Sequence, residues 1–461
     1  MQALIAQLDK IVSVPMLKGA DISERYRHDW SSEAPGIPVA VARPFDTAEV
    51  SAIMRLCHQH DQAVVVQGGL SGLCGGANPQ GNELAISLER LNGVEEIDTA
   101  AMTMTVRAGT PLQVVQEAAA AAGFVFPLDL GARGTCNIGG NISTNAGGNQ
   151  VLRFGMTRNL VLGLEAVLAD GTVISAMNKM LKNNAGFDLK HLFIGSEGTL
   201  GIVTRAVLRL YPKSRSRCSA LLAVKDFKSV TSLLRKVTGD FGGTLSTYEV
   251  MWSSYYHFIT DNVKGVKSPF PERYPLYVLT EMEGSNQEQD QSVFENVLGA
   301  AMEEGLVADA VIAASGKDRE GFWKIRDGVA EIGGFIKDTG NFDVSVPISL
   351  MESFLEAVQQ ALEVALPEAK MLVFGHVADS NLHFICYTGR HADIKTIYEV
   401  VYGVVGRFEG SVSAEHGIGV QKIKVLHHSR SEAELALMQT LKSALDPKGL
   451  LNKGRVLPGQ E

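Results

Sequence analysis

Gly131–Asn149 reads GARGTCNIGGNISTNAGGN, and two stretches of the same texture flank it: QGGLSGLCGG from Gln67 to Gly76, and GSEGTLGIVT from Gly195 to Thr204. Backbone without Cβ atoms can approach a ligand closely, and successive N–H groups in such a loop form a nest for an anion such as a pyrophosphate. Ser71, Thr135, Ser143, Thr144 and Thr199 add hydroxyl donors without adding charge. A Rossmann phosphate loop is excluded. The first spacing is Gly68, Gly69, Gly72, and the following LCGGANPQGN cannot open the helix that motif requires. One stretch alone would be an ordinary set of tight turns. Three in the first half of the chain point to a shared ligand.

Working outward, RPFDTAEVSAIMRLCHQHDQAVVVQGG offers Asp46 as a helix cap with Glu49 three residues on. An apolar face at Val50, Ile53, Met54 and Cys57 follows, then a buried strand at Val64–Val66. LAISLERLNGVEEID, MTMTVRAGT and GLEAVLADGTVISA read as strands and turns, and TPLQVVQEAAAAAG as a helix stopping at Gly123. After SRSRC the texture changes to longer helices (SVTSLLRKVTGDFG, QEQDQSVFENVLGAAMEEG, LMESFLEAVQQALEVAL) between strands such as LYVLTEM and MLVFGHV. The expected organisation is α+β: a helical arm over 1–33, a first domain over 34–214, a second over 215–420, and a segment over 421–461 that packs back on the first.

The composition is that of a globular protein, with 461 residues, 45% hydrophobic and 20% charged. Lys plus Arg is 42 against 51 for Asp plus Glu, a net charge of -9. That balance argues against nucleic acid as a partner, because phosphate affinity comes mostly from cations. No apolar run approaches the length of a spanning helix. The opening MQALIAQLDKIV lacks the basic start of a signal peptide. Cys57, Cys74, Cys136, Cys218 and Cys386 lie far apart with no C-x-x-C pair, as expected of reduced thiols in a cytoplasmic protein.

A second constellation is FGHVADSNLHFICY, followed by SVSAEHGIG. If ADSN is a turn with Asp379 and Ser380 at its tip, His376 faces His383 directly, close enough to share a metal. Glu415 would add an oxygen ligand, and two His with one carboxylate and open positions is a catalytic set rather than a closed structural one. A satisfied pair of core histidines is the alternative. Glu415 and His416 should point apart in an extended segment, leaving His416 to take a substrate proton or to orient a ligand. Arg326, in FWKIRDGVAEIGG, could pair with a carboxylate through its fork, or lie on a solvated helix face. Trp323 reads as core.

The motifs VVVQGGLSGLCGG, FPLDLGARGTCNIGGNISTNAGGN, RFGMTRNLVLGLEAVLADGTV and HLFIGSEGTLGIVT resemble the FAD-binding domain of the vanillyl-alcohol-oxidase superfamily. Within it, the chain is similar to the D-lactate, glycolate and D-2-hydroxyglutarate dehydrogenase branch, from about residue 34 to the end. The resemblance implies a two-subdomain FAD-binding domain of the PCMH type and an α+β cap domain that covers the isoalloxazine. It places Gln67, Gly68, Gly69, Leu70, Ser71, Gly72, Leu73 and Gly76 at the pyrophosphate. Pro127, Gly134, Thr135, Cys136, Gly139, Gly140, Asn141, Thr144 and Asn145 form the second FAD segment, and Gly198, Gly201, Ile202 and Val203 border the adenine. Asn452 joins from the tail. No histidine lies between His60 and His191, so non-covalent FAD is expected.

The same resemblance favours a divalent metal on His376, His383 and Glu415, zinc first, with Mn or Fe as alternatives. It makes His416 the base and Arg326 the carboxylate-binding residue. The implied reaction is oxidation of a D-2-hydroxy acid to the 2-oxo acid by metal-assisted proton abstraction and hydride transfer to flavin N5. Electrons then leave to a quinone, a cytochrome or an electron-transfer flavoprotein, and a homodimer is compatible with the pattern. The chain has Ala330, Asn341 and Ile385 where dicarboxylate-specific relatives carry polar or basic groups. That leans the reading toward D-lactate, because an unpaired buried charge is costly. D-2-hydroxyglutarate dehydrogenase and a glycolate oxidase subunit are the alternatives. Further rivals are an oxygen-using oxidase, a non-catalytic flavin-binding subunit of an electron-transfer complex, and an unrelated metal hydrolase. Lys453 also stands where the family pattern prefers Pro.

Overall fold

The computed structural model describes residues 2–459. The chain forms two compact units. The first takes the chain up to Gly148, residues 154–213 and everything from Glu415 onward; the second takes residues 149–153 and 214–414. The return to the first unit thus falls at Ala414/Glu415 rather than near 420. Residues 149–153 join the second unit although they directly follow the middle glycine stretch, and there Arg153 reaches Ser214 and Glu283.

In the first unit, β1 (Val41–Ala42), β2 (Val64–Gln67) and β3 (Leu84–Ser87) form a parallel sheet in the order β1-β3-β2. β4 (Val94–Asp98) and β5 (Thr103–Arg107) lie in a second sheet, and the two-residue β6 (Phe124–Val125) lies outside it. β7 (Val161–Val167), β8 (Val173–Ala176) and β9 (Ile202–Arg209) complete the antiparallel order β4-β5-β9-β7-β8, while β10 (Tyr211–Pro212) pairs with β6. The helix Thr47–Gln59 starts where Asp46 accepts from the Glu49 N–H at 2.9 Å, and Val50, Ile53, Met54 and Cys57 are fully buried. The Glu49 carboxylate does not close the capping box. It takes the N–H groups of Phe45 and Ser13 instead, tying the N-terminal segment down. Leu4 and Leu8 of the helix Gln2–Leu8 enter the same core as both sheets, so this helix packs on the first unit.

β2 runs into the glycine loop with no helix after it, which is why the Rossmann reading fails. The tail returns alongside β2: the Val64 N–H donates to Leu450 O at 2.8 Å and the Asn452 N–H to Val64 O at 3.0 Å. Arg455, 2% exposed, pairs with the equally buried Glu83 and donates to the Asn78 and Lys453 carbonyls. Lys453 therefore leaves the turn intact. All five cysteines are buried and none is in a disulfide, and burial pushes the Cys57 thiol up to about 12 and Cys218 up to about 11. Among the described residues no helix is long and apolar enough to cross a membrane.

The second unit is built on one antiparallel sheet. Its strands are β11 (Ser216–Val224), β12 (Leu245–Trp252), β13 (Leu276–Gly284), β14 (Asp309–Ile312), β15 (Thr339–Ser345), β16 (Lys370–Gly375) and β17 (Asn381–Tyr387), in the order β14-β11-β13-β12-β16-β17-β15. Alternation splits the sheet into two faces. Leu221, Met251, Tyr277, Leu279, Leu372, Phe374 and Ile385 share one face with Tyr255, Ile259, Phe322 and Ile325 from the helices Ser253–Asn262 and Gly316–Arg326. Glu249, Asp343 and His383 follow the same alternation, so the sheet carries polar side chains on a largely apolar face.

Candidate active site

In the second unit the structure gathers Arg326, His376 and His383 around a residue that sequence reasoning missed, Glu249. β12 holds Glu249 at 2% exposure. One carboxylate oxygen accepts from His376 Nδ1 at 2.5 Å, and the other from Arg326 Nε at 2.8 Å. Arg326 Nη2 then donates to His376 Nε2 at 3.0 Å. This fixes the histidine tautomer: the proton sits on Nδ1 and the lone pair on Nε2. Burial would raise the Glu249 carboxyl, but the Arg326 charge and the N–H bonds from His376 and Arg326 outweigh it and hold the group low. The Tyr255 hydroxyl donates to the Arg326 carbonyl at 2.6 Å, and the guanidinium lies over the Phe374 ring at 5.0 Å. Arg326 is thus buried and braced, neither a solvated helix residue nor an open fork. Trp323 packs against the same core and donates Nε1–H to Glu281 at 2.9 Å.

His376 does not face His383 across the hairpin. The register pairs Phe374 with His383, two residues away from the expected alignment. The connection is a short 3₁₀ turn, Val377–Asp379, closed by Ser380 in the left-handed region at φ 72°, and His376 caps it. A slip of two keeps the face, because side-chain direction repeats every two residues. The rings still lie 5.4 Å apart, centroid to centroid, with ring nitrogens within 4.8 Å of each other. Asp343 is the cross-strand partner of His383 on β15, 3.9 Å from its Nδ1, and its backbone carbonyl accepts from the Ala414 N–H. Asn381 Nδ2 lies 3.4 Å from His383 Nε2.

Two imidazoles at this separation, one with its tautomer set by a buried carboxylate, fit a divalent metal. Occupancy would displace Arg326 Nη2 from His376 Nε2. Ile385 lies in the apolar core beside Leu372 and Asn341, while Ala330 sits on the turn after Arg326.

In the first unit the glycine stretches come together. A Cβ on Gly69 would lie 1.9 Å from Thr135 O and 2.7 Å from Cys136 Cα, so the first stretch packs backbone to backbone on the second. Leu70 adopts a left-handed φ of 57° and is buried; Ser71 is half-buried, and Gly72, Leu73, Gly134 and Thr135 are exposed. Space is open around Gly140. Gln67 Oε1 and Asn141 Oδ1 are buried without a hydrogen-bond partner. Gly68 faces Gly140 and Asn137 while Gly139 packs against Ala108, Pro127 and Cys136 are buried, and Thr144 and Asn145 close the short helix Ile138–Ser143. Uncharged donors, exposed glycine backbone and two orphaned acceptors suit an extended dinucleotide such as FAD.

Ile202 and Val203 are sealed in the core, and a Cβ on Gly201 would strike the Phe193 ring, so at most their backbone is available to a ligand. Asn452 is a brace: it accepts from the Val66 N–H and donates to Glu197 O beside Gly198. Gly76 abuts Glu197 and Gly419. Glu415 Oε1 accepts from the Gly148 N–H at 3.1 Å, and His416 follows it in the segment that re-enters this unit.

Residues 38–176 match the family model described as the FAD binding domain, and residues 213–456 that of FAD linked oxidases, C-terminal domain. The D-2-hydroxyglutarate dehydrogenase of Xanthomonas citri pv. viticola is 39% identical over 94% of this chain and 92% of its own length. The mitochondrial D-2-hydroxyglutarate dehydrogenase of Arabidopsis thaliana is 37% identical over 93% and 77%. Among solved structures, p-cresol methylhydroxylase with substrate bound superposes at a TM-score of 0.78, with 14% identity over 99% of this chain and 97% of that one. Alkyldihydroxyacetonephosphate synthase reaches 0.76, with 15% identity over 98% and 84%. These last two speak for the fold alone. With both domain models and such relatives in register over most of its length, the chain belongs to the FAD-linked oxidases, alongside the D-2-hydroxyglutarate dehydrogenases.

Proposed function

We propose that the chain is an FAD-dependent dehydrogenase that oxidises a D-2-hydroxy acid to the 2-oxo acid. The observation that carries this is the buried Arg326–Glu249–His376 set beside His383, in a member of this flavin family. FAD, when bound without a covalent link in the glycine stretches, supplies the acceptor for hydrogen from C2. A divalent metal, zinc by its nitrogen-rich donors with Mn or Fe as alternatives, would be held by His376, His383 and Glu415 and would acidify the substrate hydroxyl.

The chain's own residues divide the remaining work. Glu249 keeps the His376 Nε2 lone pair available by holding the proton on Nδ1. Arg326 Nη2, which now donates to that lone pair, is the donor a substrate carboxylate would take over. His416 removes the hydroxyl proton.

The preferred side chain is short, as in D-lactate, because Ile385, Leu372 and Asn341 form one row across the sheet without a cation among them. D-2-hydroxyglutarate is the second reading, favoured by the identity to enzymes of that name. A quinone, a cytochrome or an electron-transfer flavoprotein takes the electrons, and the proposed setting is a cytoplasmic homodimer. The test is anaerobic bleaching of the purified yellow protein by D-lactate, D-2-hydroxyglutarate and their L-isomers. The proposal expects bleaching by a D-isomer only, and it fails if none of these acids reduces a flavin-loaded protein.

A further inference from the structure

We infer that Glu197 is a positioning residue for His416, which makes its carboxylate part of the proton-transfer apparatus rather than of the flavin cradle. The inference rests on the reading of His416 as the base.

Glu197 is the third residue of the third glycine stretch, in a left-handed turn at φ 52°. Its backbone is held from two sides: the N–H donates to Ser143 O at 2.7 Å, and the carbonyl accepts from Asn452 Nδ2 at 2.7 Å. Its carboxylate then takes two successive backbone N–H groups of the Glu415–Val420 segment, one on each oxygen: Ile418 at 2.7 Å and Gly419 at 2.8 Å. A carboxylate with both oxygens committed in this way has no part in cradling phosphates, which it would repel.

The segment it holds is clamped elsewhere too. Gly417 stands at φ 82°, and a Cβ there would lie 2.7 Å from Glu197 Oε1. Gly419 stands at φ 52°, with a would-be Cβ 2.1 Å from Cys74 O. The Cys74 thiol donates to Gly417 O at 3.3 Å, and Cys74 O accepts from the Val420 N–H at 2.9 Å. On the other side of His416, the Glu415 carboxylate takes the Gly148 N–H. All three glycine stretches therefore contact the residues either side of His416, the second through the Glu415 carboxylate, and Glu197 holds the C-terminal flank with two bonds to backbone N–H groups. Gln in its place keeps one acceptor and turns an N–H₂ toward a backbone N–H, so one bond becomes a clash.

The experiment is anaerobic stopped-flow reduction of the holoenzyme by D-lactate and by D-2-hydroxyglutarate, in wild type, Glu197→Gln, His416→Ala and the double variant. Glu197→Gln is expected to keep wild-type flavin content and substrate affinity within about threefold, while the limiting reduction rate falls about 10²-fold, the scale of a small misplacement of a reacting group. In the His416→Ala background the same substitution should change the rate less than about twofold, because there is no imidazole left to misplace. Glu197→Asp, which keeps both oxygens, should recover part of the rate. Gly417→Ala, pressing on the same carboxylate from the other side, should show the same non-additivity. Equal rate losses from Glu197→Gln with and without His416 would overturn the inference, and so would loss of flavin from Glu197→Gln. A wild-type rate in His416→Ala alone would instead remove His416 as the base, which separates the two failures.

Discussion

Replacing Glu249 by Gln should cost the second unit stability and weaken the proposed metal site together. The carboxylate faces two N–H donors with one oxygen each, the neutral His376 at Nδ1, 2.5 Å away, and the cationic Arg326 at Nε, 2.8 Å away. Gln can offer its oxygen to Arg326, but its N–H₂ then faces His376 and drives the ring to accept at Nδ1. The proton moves to Nε2, where it opposes Arg326 Nη2 and blocks a metal. Arg326, 7% exposed, also loses its countercharge, and breaking a buried pair from one side costs about 3–5 kcal/mol. Loss of the partner that orients a histidine ligand should lower metal affinity about 10–100-fold. Urea unfolding followed by tryptophan fluorescence reads the first effect, because Trp252 and Trp323 both belong to the second unit. Zinc titration of the metal-stripped protein reads the second. The double variant Glu249→Leu with Arg326→Met should regain most of the stability and none of the affinity. A Glu249→Gln protein within about 1 kcal/mol of wild type that binds zinc equally well would refute the reasoning.

Arg455→Met should cost the first unit about 3–5 kcal/mol, since Glu83 would be left buried without its guanidinium; urea-induced flavin release measures it. Gly69→Ala should yield a folded protein that purifies largely without flavin, as its Cβ would meet Thr135 O at 1.9 Å and part the first two glycine stretches; the ratio of flavin to protein absorbance decides. Burial raises the Glu95 carboxyl, but its bonds to Arg205 and Arg107 outweigh that and hold it below its ordinary value. The stabilisation is therefore complete above about pH 4.5 and fades as the pH falls. Glu95→Gln should cost at most about 1 kcal/mol at neutral pH, and the two proteins should converge in acid, which urea midpoints at both pH values will check.

Local pattern made much of the fold legible. The Asp46 cap, the Val50–Cys57 face and the strand into Gln67 all depend on neighbours within one or two turns, and they form where the spacing places them. What pattern could not supply was pairing over long separations. Glu249 lies 127 residues from His376, and no spacing links the two. The one available signal was a carboxylate inside the strand-like LSTYEVMW, where a buried acid needs a partner. The hairpin register went wrong for a different reason. A two-residue tip at Asp379–Ser380 fits the sequence, but the 3₁₀ turn takes up extra residues and moves the pairing by two. The face survived the error because an even slip preserves it, and an odd slip would have separated the histidines.

The glycines carry the deeper lesson about ambiguity. A backbone stripped of Cβ atoms admits a dinucleotide, but it admits a second strand of protein just as well, and the sequence alone does not distinguish the two. In the first unit both uses occur within single stretches. Gly140 faces open space beside the orphaned Asn141 Oδ1, whereas Gly147, a few residues on, leaves room only for the Glu415 carboxylate. Gly69 meets Thr135, while Cys74 in the same loop meets Gly417 and Gly419. Cofactor loops and the segment bearing Glu415 and His416 are thereby one packed object. A change that loosens these loops should then also shift the Glu415–His416 segment, so the placement of His416, the proposed base, depends on the same backbone contacts.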